Sequence, residues 1–228
     1  MNLETFGTRD LQDFSRAGEK EWLVTNGLGG FASATAVGAN TRRYHGLLFA
    51  ALRPPAERIL LLSKLEERIT VRDQEYSLYV NDTAGGPLPG GNHYLQQFKP
   101  FPVPSFVYGF EDIIVEKTIF MVHGQNTSVV GYRIVAPEDV TVTVNITPLI
   151  NCRDYHHMTR RNHWPFNQQA KRDGTRIEAY PGALHLYLSG LGLKYSLGPG
   201  YWYEGMRYEE EVRRGEYEWE DHYMPGEF

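Results

Sequence analysis

The 228-residue chain carries one cysteine, Cys152, so an internal disulfide framework is excluded and a reducing, cytoplasmic setting is the expectation. Its opening, Met1-Asn2-Leu3-Glu4, has neither the basic nor the apolar region of a secretory leader. No apolar run approaches the ~18 residues that a membrane span needs. Positive charge is not in surplus either. Lys and Arg number 23 against 28 Asp and Glu, a net charge of -5, which argues against a nucleic-acid or anionic-membrane partner. Helical periodicity is scarce: only residues 206–214 form a fair short helix, stopped by Gly215.

Several catalytic signatures are also missing. There is no G-x-S-x-G elbow for a serine hydrolase. Neither a C-x-x-C pair nor H-E-x-x-H accompanies Cys152, His156, His157 and His163, so a loop offering Asp154 and His156 to a ligand, or a core-satisfied Asp or His, is preferred to a metal site. No cofactor is implied. Gly27-Leu28-Gly29-Gly30-Phe31-Ala32 matches the spacing of the dinucleotide fingerprint, but the following run, Ser33 to Gly38, is small and strand-like where that fingerprint requires a helix. A tight turn using positive φ at glycine is the expected role. Glu66, Glu67, Glu209, Glu210, Glu211, Glu220 and Asp221 are candidate carboxylates for glycoside hydrolysis, yet no acid is marked as buried. The run Tyr208-Glu209-Glu210-Glu211 reads as a solvated helix face.

What the chain does have is strand patterning. Residues 140–147 alternate strictly between apolar and polar, the mark of a half-buried strand. Residues 113–122 and 129–135 read as further strands, turned at 123–126 and 136–139. Hairpins are predicted for 68–71 with 76–80 across 72–75, and for 176–180 with 183–188 across Pro181-Gly182. Residues 83–104, rich in Gly and Pro, read as a long packed surface loop anchored by Tyr94, Phe98, Phe101 and Phe106. The fold expected is all-β: an antiparallel two-sheet sandwich with little helix, forming one domain over residues 1–228. Aromatics reach 13%, with 15 Tyr and 4 Trp. That excess fits either sugar stacking or the strand preference of Tyr.

The most unusual run is Asn40-Thr41-Arg42-Arg43-Tyr44-His45-Gly46-Leu47-Leu48, in which hydrogen-bonding side chains crowd the mouth of an apolar strand. Arg supplies a fork of donors, and Tyr and His supply amphipathic rings, a set suited to hydroxyl or carboxylate recognition. The alternative is a structural Arg paired with a core-edge carboxylate such as Glu66 or Glu67.

Three stretches together carry a resemblance. The first runs from Glu21-Trp22 through Asn26-Gly27-Leu28-Gly29-Gly30 into Asn40-Thr41-Arg42-Arg43-Tyr44-His45-Gly46. The second is Leu149 to His156, and the third spans Trp202-Tyr203, Tyr208, Glu211, Arg214-Gly215, Glu220-Asp221 and Pro225 to Phe228. From about Glu19 to Phe228 the chain resembles the N-terminal domain of bacterial and archaeal-type glycogen debranching enzymes, the amylo-α-1,6-glucosidase kind. The resemblance implies a β-supersandwich followed by a helical (α/α)6 barrel, which carries the catalytic acid and base in relatives. No catalytic residue is therefore expected before Phe228, and whether the sandwich closes by that point stays open. The implied partners are glycogen or a related α-glucan and the chain's own C-terminal barrel. The substrate-binding candidates are Arg42, Arg43, Tyr44, His45, Arg153, Asp154, His156 and Trp202. Glu204-Gly205-Met206 departs from the family, which has an aromatic-rich segment with an Asn there. A domain shaping the substrate site, a free-standing carbohydrate-binding module and a scaffold for the barrel are the three roles left open.

Overall fold

The computed structural model describes residues 4–53 and 56–228. Strand accounts for 55% of it and helix for 8%, a balance that excludes βαβ architecture. In chain order the strands are β1 (Phe6–Gly7), β2 (Glu21–Thr25), β3 (Phe31–Thr35), β4 (Gly46–Arg53), β5 (Glu57–Val71), β6 (Gln74–Ser77), β7 (Asn81–Thr83), β8 (Gly86–Leu88) and β9 (Leu95–Lys99). They continue as β10 (Ser105–Phe110), β11 (Ile113–Met121), β12 (Ser128–Val135), β13 (Val142–Asp154), β14 (Asn167–Lys171), β15 (Gly174–Glu178), β16 (His185–Ser189), β17 (Ser196–Arg207) and β18 (Trp219–Glu227). Helix is confined to α1 (Thr8–Leu11), α2 (Phe14–Gly18), α3 (Glu209–Arg213) and one 3₁₀ turn, Gly91–Tyr94.

Two principal antiparallel sheets form the sandwich. The larger runs β2-β3-β4-β5-β13-β18-β17-β7-β8, with β6 also on β5; the smaller runs β1-β9-β10-β11-β12. β5 organises the large sheet. Its first half pairs with β4, its second half with β6, and β13 lines its other edge from Val142↔Val71 to Asp154↔Ile59. The core between the two sheets holds Leu61, Ile69, Phe98, Phe106, Val115 and Ile119, all buried. Glu67 enters it as well, paired with Lys117 at 2.5 Å and accepting the Tyr132 hydroxyl at 2.6 Å. A third sheet, β14-β15-β16, lies beside β17 and β18 through Phe166, which stacks on Tyr223 at 4.3 Å.

Local expectations are met with four adjustments. The 68–80 hairpin turns on two residues, Arg72 and Asp73, not four. Both have positive φ, 48° and 64°, the pairing that matches strand twist in a two-residue turn. No glycine marks this turn; Arg72 pairs there with Glu111 and Asp112. The segment 83–104 is not a loop. It contains β8 and β9, and β9 is an inner strand of the smaller sheet. Its buried residues, Leu95 and Phe98, are three apart because the register shifts between Val107 and Tyr108, which breaks the period of two. Of its proposed anchors, Phe101 is exposed. Met206 lies in β17, opposite Glu220, so the helix begins only at Glu209 and stops before Gly215, whose φ is 70°. The 176–188 hairpin also has a longer loop, since pairing ends at Glu178↔His185.

The glycine-rich motif is a turn between β2 and β3. Gly27 and Gly29 have φ of 78° and 94°. Buried Asn26 organises it: its Oδ1 accepts the Leu28 and Gly30 amides at 2.9 and 3.0 Å, while its Nδ2 donates to Gln125 O and Asn126 Oδ1, both at 2.9 Å. A Cβ on Gly27 would sit 2.5 Å from the His123 ring, so the glycine also allows a close approach. No helix among the described residues is long and apolar enough to cross a membrane.

Candidate functional site

Residues 42–45 form a turn entering β4, closed by the His45 amide on Arg42 O at 2.9 Å. His45 is buried and locks the turn from inside, its Nδ1 accepting the Thr41 amide at 3.0 Å. That bond places the ring proton on Nε2, which lies 3.6 Å from Glu21 Oε1. Burial, reinforced by the Arg42 charge, pushes the His45 pKa down to about 3, so the ring is neutral.

The two arginines diverge. Arg42 bonds Glu21 at 2.6 Å and lies 3.5 Å from Glu210. Arg43 is fully engaged. Its amide and Nε donate to the two oxygens of Glu211, each at 2.9 Å, Nη1 donates to His156 O at 3.0 Å, and Nη2 reaches Glu216 at 3.0 Å. Glu211 has no exposed surface. Burial opposes its ionisation, but the bonds and charge from Arg43 hold its pKa below the usual carboxylate value. The structural partners of the arginines are thus Glu21, Glu210, Glu211 and Glu216. Glu66 and Glu67 are occupied elsewhere, Glu66 by Asn81 and Glu67 by Lys117.

A second ionic pair lies alongside. Arg153, near the end of β13, makes a two-pronged bond to buried Glu220 through Nε and Nη2, and Nη2 also donates to Arg43 O at 2.8 Å. Glu220 further accepts the Tyr208 hydroxyl at 2.8 Å and the Thr159 amide at 3.1 Å. Beyond Arg153 the chain turns on Asp154, whose Oδ1 accepts the His156 amide at 2.8 Å. This presents Tyr155 and His156, with ring centroids 3.8 Å apart. The Tyr44 hydroxyl meets His156 Nδ1 at 3.1 Å, and its ring centroid is 6.0 Å from that of Tyr155. Arg58 lies over Tyr155 at 5.3 Å while donating to Gly29 O, which links the cluster to the glycine turn.

The structure therefore brings together Arg43, Tyr44, Arg153, Asp154 and His156. Arg42 and His45 face Glu21 on the other side of the turn. Trp202 stands elsewhere, in the cluster with Phe166 and Tyr223 at 5.7 and 5.8 Å. Tyr155 and Arg58 belong to the cluster but were not among the candidates. Tyr155 sits inside the quoted second stretch, and Arg58 carries no sequence signal. The acidic run is likewise only partly solvated, since Glu211 is buried, as are Glu220 and Asp221. Asp221 accepts the Gly205 and Arg161 amides at 2.8 and 2.7 Å. None of Glu66, Glu67, Glu211, Glu220 and Asp221 stands free of an internal donor. The cluster thus has two layers, internal ion pairs beneath and a half-exposed group of rings above.

These features define an all-β sandwich domain with a polar, aromatic loop cluster at one end of its large sheet. The family model described as Glycogen debranching enzyme N terminal matches residues 20–228, and the chain belongs to that family. No curated protein and no solved structure matches it.

Proposed function

We propose that this domain shapes the substrate site of a glycosidase that hydrolyses α-1,6-glucosidic branch points in glycogen or a related α-glucan. In this reading the catalytic acid and base come from a helical barrel following Phe228, and the enzyme works in the cytoplasm, where Cys152 stays a buried thiol. The carrying observation is that Tyr44, Tyr155 and His156, from two distant stretches, meet on a base of buried ion pairs. Rings held rigidly at low entropic cost suit the C–H faces of glucose, and Asp154 and Arg58 supply hydroxyl partners at the rim. Arg43 and Arg153 act as positioning residues, since their donors are engaged internally. Arg42 and His45 hold the turn, and Trp202, packed with Phe166 and Tyr223, takes no part in this cluster.

The test is steady-state debranching by the barrel-carrying protein with Tyr44→Ala or His156→Ala. The expected result is a fall in kcat/KM of about tenfold or more, ~1.4 kcal/mol, with Tm nearly unchanged. Unchanged kcat/KM in both variants would leave the domain a scaffold, a role that the engaged donors of Arg43 also fit.

A further inference from the structure

The outer face of β14-β15-β16 is unlike an ordinary solvated sheet. Alternation buries Thr175, Ile177, Leu186 and Leu188 on the inner side. The outer side then carries three rows across the strands, Lys171↔Gly174↔Ser189, Gln169↔Arg176↔Tyr187 and Asn167↔Glu178↔His185, with no aliphatic side chain in any of them. Tyr187 is 63% exposed.

Long polar side chains on a solvated face gain little by bonding one another, because fixing them costs rotamer entropy. Here they are joined across all three strands. Gln169 Oε1 accepts from Lys171 Nζ at 3.2 Å and from Arg176 Nη1 at 3.4 Å. Arg176 Nη2 contacts the His185 ring, and His185 Nε2 lies 3.6 Å from Glu178 Oε1. The His185 ring meets Tyr187 edge-on at 6.4 Å. The result is one open aromatic face flanked, within about 10 Å, by planar groups already held in place.

We propose that this face is a second α-glucan-binding surface, on which Tyr187 stacks against a glucose ring while Gln169, Arg176, Glu178 and His185 bond its hydroxyls. It rests on the glucan reading above but uses different strands from the Tyr44 cluster. The chemistry favours a neutral polyhydroxylated ligand. A pyranose has an apolar C–H face for Tyr187, and each hydroxyl both donates and accepts, as this mixed set requires. An anion would meet the Glu178 carboxylate, and a cation would meet Arg176 and Lys171. The surface would tether the domain to the polymer while the branch point is handled elsewhere.

The experiment is native affinity electrophoresis of the 228-residue chain through gels with and without glycogen. Retardation of the unmodified chain is expected, with apparent Kd weakened about tenfold in Tyr187→Ala, partly in Arg176→Ala, and little changed in Tyr187→Trp. Far-ultraviolet circular dichroism verifies that Tyr187→Ala is folded. No retardation of the unmodified chain, or equal retardation of folded Tyr187→Ala, overturns the proposal. Retardation by dextran sulfate but not by glycogen overturns it too, in favour of an anion surface. Debranching of a small branched oligosaccharide by the barrel-carrying protein, measured in parallel, reports on the Tyr44 cluster. Loss of one reading is thereby distinguishable from loss of the other.

Discussion

Arg153 and Glu220 show how much one residue's surroundings decide. Both are buried, and the pair is further tied to Tyr208 and Thr159. Removing one partner strands a charge in a medium that solvates it poorly. Arg153→Ala is expected to cost about 3–5 kcal/mol, read from urea denaturation midpoints, and Glu220→Gln in the same chain should restore part of it. A loss under about 1 kcal/mol is what a solvated surface pair would give. Buried histidines make a second prediction at this scale. Burial is the main force pushing His222 down to about 4, against the attraction of Glu220 and with the repulsion of Arg153; His45 is pushed to about 3. Each folded value lies below the unfolded value of about 6.5, so below that pH the unfolded chain binds more protons than the native one. The stability of the neutral rings is therefore complete above pH ~6.5 and declines as pH falls toward 4. For His222 the full effect is on the order of 3 kcal/mol. A thermal-denaturation series from pH 7 to 4 should show Tm falling, and His222→Gln should flatten that slope. An equal slope in the variant would place the acid sensitivity elsewhere.

Among elements, the turn between β2 and β3 is the clearest case of side chain directing backbone. One amide, Asn26, serves two backbone donors within the turn and two acceptors in the 123–126 turn, thereby joining the two sheets at one end. Asn26→Ala leaves buried amides unpaired and is expected to cost about 3 kcal/mol. Hydrogen exchange should then rise first at Leu28, Gly30 and Gly124, whose amide donates to Asn26 O at 2.7 Å. Uniform acceleration across all strands would contradict a local clamp. The same turn shows why a dinucleotide spacing misleads here. Its glycines provide positive φ and room for His123, while β3 follows instead of a helix. β9 teaches a different lesson, because a shifted register removed the period of two on which its recognition depends.

For the whole molecule, the decisive matter is how its carboxylates are used. Glycoside hydrolysis needs an acid and a base facing one bond, separated by ~5–10 Å. The buried acids here are engaged by Arg43, Arg153, Arg207, Asn81, Lys117 and backbone amides. The purified 228-residue chain is accordingly expected to release no glucose from a limit dextrin above a boiled control. Release above that control would require an acid–base pair within the sandwich and would undo the division of labour with a barrel.

By itself the sequence determined the all-β class, the long strands with regular alternation and the glycine turn, because these depend on residues near one another in the chain. It also carried the family, through stretches specific enough to survive without knowledge of their contacts. Only the tertiary structure decided which acids are buried. Glu211 sits in a charged run that reads as a wet helix face, yet it pairs with Arg43 168 residues away. Arg153 and Glu220, 67 residues apart, behave alike. Whether a charge is solvated or paired depends on what the fold brings opposite it, and local pattern holds no record of that. The meeting of Tyr44 with His156 across 112 residues and the row of Gln169, Arg176 and Tyr187 belong to the same class. They are products of strand register, which is set when β5 pairs with β13 and when β15 pairs with both of its neighbours.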